Sequence, residues 1–228
     1  IFSSSSSGRL LKRSSTSLAR GPLNAISYLC SGSGNNNFGY VTGGSPPTAK
    51  TTVDRIDYSS DTSTAVTKGN LSVGKRKHGS TGNKSFGYFG GGTNPSSPVL
   101  STIDRIDYSN DTPTAVAKGP LSVARSGQGG VSSREGGLLT ENIYSSTVSS
   151  NEEVSGTKNV LPSHGYIGGG GPGPLSSVDR VDFSNDTATA STKGSLTISI
   201  DRRGGTANKN YGWIGSGGNP KTSVIDRI

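Results

Sequence analysis

The chain has 228 residues, 28% of them apolar, with 35 Gly, 11 Pro and a formal net charge of +8. That composition taken alone leans toward disorder; no run approaches the roughly 18 to 20 consecutive apolar residues of a membrane helix, and the single Cys30 excludes an internal disulfide framework. No stretch reads as a signal peptide, and the absence of an initial Met points to a processed or partial chain.

Repetition overrides the composition. The chain opens on Ile1-Phe2-Ser3-Ser4, which looks like the end of a strand that recurs later as Ile106-Asp107-Tyr108-Ser109, and ARGPL at Ala19 to Leu23 matches AKGPL at Ala117 to Leu121. The first full unit then brings FGYVTGG from Phe38 and VDRIDYSSDTSTAVTKGNL from Val53. The second brings FGYFGGG from Phe86 and IDRIDYSNDTPTAVAKGPL from Ile103. A later one brings HGYIGGGG from His164 and VDRVDFSNDTATASTKGSL from Val178, and the last brings YGWIGSGG from Tyr211 and a cut-off VIDRI from Val224. The anchoring glycines 39, 87, 165 and 212 are spaced by 48, 78 and 47 residues. A period in the forties predicts a propeller or a solenoid.

Each unit predicts four short strands. In the second unit these are a Gly-rich strand (His78 to Thr81), the FGYFGGG strand, the IDRIDY strand with Ile106 and Tyr108 on one side and Arg105 and Asp107 on the other, and the TAVAK strand. Ser109 to Thr112 supplies a polar turn between the last two, Gly90 to Pro98 a loop, and Gly82-Asn83-Lys84-Ser85 a tight turn. Four-stranded units of this length are propeller blades. Gly79 and Gly129 are expected to face the crowded central axis, and Cys30 to be a buried inert thiol of the inner strand.

The spacing of 78 contains Gly136-Gly137 and Ile143-Tyr144-Ser145-Ser146, which imitate the unit signatures, so residues 131–163 read as a degenerate blade. The expected architecture is one all-β domain over 1–228, a propeller of about five four-stranded blades. The closing blade combines 1–30 with 205–228, and the others lie around 31–80, 81–128, 129–163 and 164–204. Pairing of N- and C-terminal strands would close the ring and remove its exposed edges. Four blades with a long insertion is the rival reading.

The double glycine after a strand, the polar turn and the Leu-x-x-x-Arg passage at Leu121 to Arg125 resemble kelch repeats. Kelch units carry a Trp on the outermost strand, where this chain has Ala65, Ala115 and Ala190. The strings DRIDYSNDT and FGYFGGG are similar to those of kelch-like repeat proteins predicted in the virions of marine bacteriophages that infect cyanobacteria. That resemblance implies a non-enzymatic binding or structural module of a phage particle, in a tail fibre or another exposed appendage. Its partners would be other virion proteins or acidic host-surface polysaccharide, and particle symmetry would set its oligomeric state. A secreted bacterial surface adhesin and a propeller-fold glycan lyase or hydrolase are the alternatives.

No motif demands chemistry. Gly79 to Ser85 looks like a phosphate loop but has Asn83 before Lys84 and recurs elsewhere as a plain turn. Gly168 to Gly173 has no helix after it to present to a phosphate. One Cys with His78 and His164 at different positions of their units makes no zinc or redox site, and no nucleophile elbow marks a serine. Catalytic residues, metal and cofactor are expected to be absent, as are a specific nucleic acid and membrane insertion. The repeated Asp54, Asp57 and Asp61 and their copies match no calcium loop; Asp54-Arg55 is expected to pair across blades and Asp61 to close a turn. The N-x-Ser/Thr triplets at Asn70, Asn83, Asn110 and Asn185 read as turns.

What remains is charge. Lys75, Arg76, Lys77, Arg125, Arg202 and Arg203 gather in the segments that return from an outer strand to the next inner one. In a four-stranded blade these share a face with the Pro-rich loops SPPTAKTT, TNPSSPVLST, GPGPLSS and NPKTS. A basic face there would attract an anionic partner.

Overall fold

A computed structural model describes residues 18–132, 163–199, 201–208, 211–218 and 221–228. They form four antiparallel sheets in the arrangement of a four-bladed propeller, with a single 3-10 turn at Tyr58–Ser60 as the helical content. Blade one is β1 (Ser31–Gly34), β2 (Phe38–Thr42), β3 (Val53–Asp57) and β4 (Val66–Thr67), in that order from the axis outward. Blade two repeats it with β5 (Gly79–Gly82), β6 (Phe86–Gly90), β7 (Ile103–Asp107) and β8 (Val116–Lys118). Blade three is β9 (Gly129–Ser132), β10 (His164–Gly168), β11 (Ser177–Asp182) and β12 (Ser191–Ser195); blade four has β13 (Gly204–Ala207), β14 (Gly212–Gly217) and β15 (Thr222–Arg227).

The turns follow from side chains that satisfy their own backbone. Asn35, Asn83 and Asn208 each accept, at 2.9 Å, the N–H three residues on, of Phe38, Phe86 and Tyr211, which closes the hairpin between the first and second strands. Asp57, Asp107 and Asp182 accept the backbone N–H of Ser59, Ser109 and Ser184 at 2.9 Å and their hydroxyls at 2.6 Å, which turns the chain after the third strand. These exposed carboxyls are held below the usual Asp range by the Ser hydrogen bonds.

Blades stack face to face. Tyr40, Val53 and Leu71 of blade one meet Phe89, Ile106 and Tyr108 of blade two, with the Tyr40 and Tyr108 rings stacked at 4.8 Å. Tyr88, Ile103 and Leu121 meet Ile167 and Val181 in the same way, and Tyr88 stacks on Phe183 at 4.8 Å. Val131, Val178 and Leu196 receive Ile214, which is fully buried. Ala65, Ala115 and Ala190 are buried beneath the preceding connection and donate backbone N–H to the Pro22, Asn70 and Pro120 carbonyls at 2.7 to 2.9 Å.

The double glycine has an identifiable task. Gly43-Gly44, Gly91-Gly92 and Gly169-Gly170 all have positive φ, and an added Cβ at Gly43 or Gly91 would run into His78 or Gln128 from the next connection. The pair bends the second strand away and makes room for its neighbour's side chain.

Two expectations change. β9 pairs directly with β10, Gly129 opposite Gly168, so the strand assigned to a fifth blade is the inner strand of the third. The stretch between those two strands is therefore an insertion within one hairpin, as the four-blade alternative required; most of the degenerate blade read over 131–163 falls on 133–162, outside the described residues. Likewise residues 1–17 of the expected closing blade lie outside them. The axial position is also shifted by one. A Cβ on Gly79 would meet Gln128 and Ile167 of the next blade, and one on Gly129 would lie 3.2 Å from both Ile214 and the Gly204 carbonyl, whereas a Cβ on Gly130 or Gly205 would strike the inner-strand carbonyls of Ser80 or Gly130 at 2.1 and 2.6 Å. With a period of two, that one-residue shift exchanges the axis for the interblade face.

Candidate functional site

The connections entering the four inner strands converge at one end of the axis. At equivalent positions Leu29, Lys77, Gly127 and Arg202 have φ of 58°, 57°, 69° and 56°. Lys77 N–H donates to the Leu29 carbonyl at 2.8 Å, Gly127 N–H to Lys77 at 2.7 Å, and Arg203 N–H to Gly127 at 3.1 Å, so backbone bonds run from blade to blade around the opening. Left-handed backbone at three non-Gly residues costs about 1 to 2 kcal/mol each; it persists because those bonds hold it, and it sets Lys77 and Arg202 at the rim.

The six predicted basic residues separate into two groups. Lys75 is fully buried, its Nζ 3.0 Å from Asp104 and 3.2 Å from the Phe89 and Thr102 carbonyls. Arg125 is fully buried against Asp179 at 3.4 Å and donates to the Ser177 carbonyl at 2.8 Å. Arg203 is buried against Asp226 at 3.4 Å and donates to the Ile198 carbonyl at 2.5 Å. Each is a counter-ion that staples an incoming connection to a third-strand carboxylate, helped by Ser72, Ser122 and Thr197, which bond the same three carboxylates. Burial pushes the Lys75 ammonium below its ordinary range while Asp104 opposes the shift. These three do not belong to an exposed basic face: a Coulombic partner within the fold recovers part of their desolvation. Arg76 and Lys77 are half-buried, and Arg202 is exposed and lies 3.5 Å from the carboxylate of its neighbour Asp201.

A cavity of about 240 Å³ opens here, lined by Cys30, Lys77, His78, Gln128, Arg202 and Arg203 among others. Cys30 is half-exposed at this mouth, not buried in the inner strand as its alignment suggested. His78 is 4% exposed; its Nε2 lies 2.9 Å from Thr42 Oγ1, and burial followed by the Lys75 charge lowers its pKa to about 3, so the ring is neutral. Gln128 is equally buried and its amide N–H donates to the Gly90 carbonyl at 2.6 Å. Among the described residues neither His78 Nδ1 nor Gln128 Oε1 has a hydrogen-bond partner. Sequence reasoning weighed His78 only as a metal or redox ligand and did not single out Gln128. The signal was present: in units that otherwise repeat closely, this one position reads Cys30, His78, Gln128 and Arg203.

The axial channel itself, about 510 Å³, is walled by the four inner strands. Three of its hydroxyls are engaged between blades: Ser80 bonds the Gly32 carbonyl at 2.5 Å, Thr81 the Val131 carbonyl at 2.8 Å, and Ser33 the Tyr108 hydroxyl at 2.9 Å. The repeated Asp residues are engaged as well. Asp111 takes the Tyr40 hydroxyl and Arg55 at 2.9 Å and Lys68 at 3.2 Å, and Asp186 takes Tyr88, Arg105 and Lys118 in the same pattern. The cross-blade pairing expected of Asp54-Arg55 is thus made by Arg55 with the turn Asp of the next blade. His164 bonds Ser163 at 2.6 Å, far in sequence and role from His78.

Compared with known proteins, the sequence matches no protein-family model and no curated protein.

Proposed function

We propose that this chain is a non-enzymatic binding or structural module of a phage particle, carried on a tail fibre or another appendage, which contacts acidic host-surface polysaccharide through the mouth of its propeller axis. One observation carries the contact. Of the basic residues in the connecting segments, Lys75, Arg125 and Arg203 are spent on third-strand carboxylates, whereas Lys77 and Arg202 are held at the rim by left-handed backbone. Two cations at one opening, in a chain of net charge +8, raise the local potential for an anion. The virion setting rests on the resemblance of the repeat strings, and the kelch relationship belongs to the same proposal.

So does closure of the ring by the chain ends. Gly21 N–H donates to the Asp61 carbonyl at 2.7 Å, as Gly69 does to Asp111 at 2.9 Å and Gly119 to Asp186 at 2.8 Å. The segment entering blade one therefore sits as segments leaving an outer strand do elsewhere, which supports a fourth strand of blade four supplied from before it.

The test is adsorption of purified protein to immobilised polygalacturonate at low and moderate salt. The double variant Lys77→Glu with Arg202→Glu loses adsorption, while Lys84→Glu, on the exposed hairpin turn that follows β5, keeps it. Equal adsorption by a folded double variant removes the mouth from consideration as the contact.

A further inference from the structure

Two interblade contacts are closed by the same grouping. Asp111 accepts from the Tyr40 hydroxyl and Arg55 at 2.9 Å and pairs with Lys68 at 3.2 Å. Asp186 accepts from Tyr88 at 2.9 Å and Arg105 at 2.7 Å and pairs with Lys118 at 3.2 Å. In both, a phenol, a guanidinium and an ammonium of one blade hold an aspartate of the next. Blade three carries the same three donors. Tyr166 stands opposite Arg180, as Tyr40 does opposite Arg55 and Tyr88 opposite Arg105. Lys193 lies two residues beyond Ser191, the outer-strand partner of Arg180, as Lys68 lies beyond Val66 and Lys118 beyond Val116. Yet none of these three side chains has a hydrogen bond or ion pair among the described residues.

They are also within reach of a ligand. Tyr166 and Arg180 are half-buried and Lys193 is exposed, while Tyr40 and Tyr88 are buried. Beside Lys193 lies a cavity of about 410 Å³ lined by Val178, Gly194, Leu196 and Ile225 among others. At the equivalent glycines of the other units this space belongs to the residue two beyond the aspartate: a Cβ on Gly21, Gly69 or Gly119 would strike the carbonyl of Ser63, Pro113 or Ala188, whereas one on Gly194 meets nothing within 4 Å. The repeat does not supply the acid from this chain. Asp61, Asp111 and Asp186 stand eight residues before Gly69, Gly119 and Gly194, but eight before Gly21 stands Arg13, and residues 1–17 contain no Asp or Glu. Closure of the ring by the chain ends would thus leave the three donors without a carboxylate from that position.

We propose that Tyr166, Arg180 and Lys193 form a docking site for an aspartate of another polypeptide, followed by a Thr-x-Thr-Ala strand of the repeat type that lies in the adjoining cavity. The two completed contacts define this occupant. Their acid is an Asp, and Ala115 and Ala190, four residues on, belong to the same apolar clusters as Leu71 and Leu121. Leu196, the counterpart of those leucines, lines the cavity with Val178. A bond from a guanidinium or ammonium to a carboxylate is about twice as strong as a neutral one. A free carboxylate would answer the donors and leave the apolar wall uncovered, and a uronate would set hydroxyls against Val178, Leu196 and Ile225. This site does not depend on the reading of the axial mouth.

The unmodified chain is titrated by calorimetry at low salt with an acetylated, amidated copy of 184–190, Ser-Asn-Asp-Thr-Ala-Thr-Ala. The peptide binds, and its Asp186→Asn version, acetate and glucuronate each bind at least about tenfold more weakly, as expected when the charged bond or the apolar contact is lost. In the chain, Arg180→Gln and Lys193→Gln each weaken the Asp peptide about tenfold. Both leave the melting temperature where it was, since neither side chain has a partner among the described residues. Lys77→Glu with Arg202→Glu leaves the affinity for the peptide unchanged. Because the ligand series uses the unmodified protein, a variant that fails to fold does not decide the matter. Equal binding of the Asp and Asn peptides, or no binding at millimolar concentration, overturns the proposal. So does glucuronate that binds as tightly as the peptide, which would assign the donors to a sugar, or loss of peptide binding in the Lys77 and Arg202 variant, which would place the peptide at the axis.

Discussion

A charged residue in this fold is explained by what it faces, and at that scale two measurements follow. Lys75→Met leaves Asp104 buried without its cation, which costs about 3 to 5 kcal/mol when one partner of a buried pair is removed. The double change Lys75→Met with Asp104→Leu recovers most of it, and urea denaturation compares the three. The second measurement is stability against pH. His78 has a folded pKa of about 3, below its unfolded value of about 6.5, so the unfolded chain binds the proton first and stability falls as pH drops through about 6 toward 4. Burial alone would raise Asp111 and Asp186, but the Tyr hydroxyl, the lysine and the arginine at each outweigh it, and both are held below the usual carboxylate range. Their contribution is present at neutral pH and is lost as pH falls below about 4. The expected melting temperature therefore declines in two stages, and His78→Gln, which copies the residue of the equivalent position in blade three, removes the first stage and leaves the second.

For the single blade, the repeated Lys-Gly step is where neighbours meet most closely. A Cβ on Gly69 or Gly119 would collide with the Pro113 or Ala188 carbonyl in the turn of the next blade, and both carbonyls belong to rigid backbone. Gly69→Ala and Gly119→Ala are each expected to lower stability by about 1 to 3 kcal/mol, read as the denaturation midpoint. The strands were legible from local signals because their causes are local: Asn83 and Asp107 satisfy the backbone within three residues of themselves. The outer strand was less so. It was read from Thr114, yet β8 begins at Val116, because Ala115 has its N–H drawn away to the Asn70 carbonyl at 2.7 Å.

At the scale of the whole ring, the last blade acts as the lid of the third. Ile214, fully buried, fills the face made by Val131, Val178 and Leu196, and Asp226 takes the Arg203 guanidinium. Deleting residues 211–228 uncovers that face and strands Arg203 without its carboxylate. Thermal melting of the truncated protein should drop steeply or show no cooperative transition; a melt like that of the parent would mean that blade four contributes little to the fold. Adsorption through the mouth should also fall as salt rises from about 0.01 to 0.15 M, since the screening length shortens from about 30 to 8 Å.

Reading the sequence by itself determined the four-strand unit, its turns and its repetition, because a period of two within strands and a period in the forties between them are written in residue types. It also located the connections that gather at one end of the axis. Which of their cations are buried was decided only by tertiary structure. Lys75 and Lys77 stand two residues apart in one string, and the strand pairing of blade two brings Asp104 against the first while a left-handed turn carries the second to the rim. The number of blades was decided the same way. One Gly-Gly pair and an Ile-Tyr-Ser-Ser string within 133–162 imitate a unit, but only the register of β9 on β10, with Gly129 opposite Gly168, shows that this stretch interrupts a hairpin, since hydrogen-bond partners across the chain are absent from any local pattern.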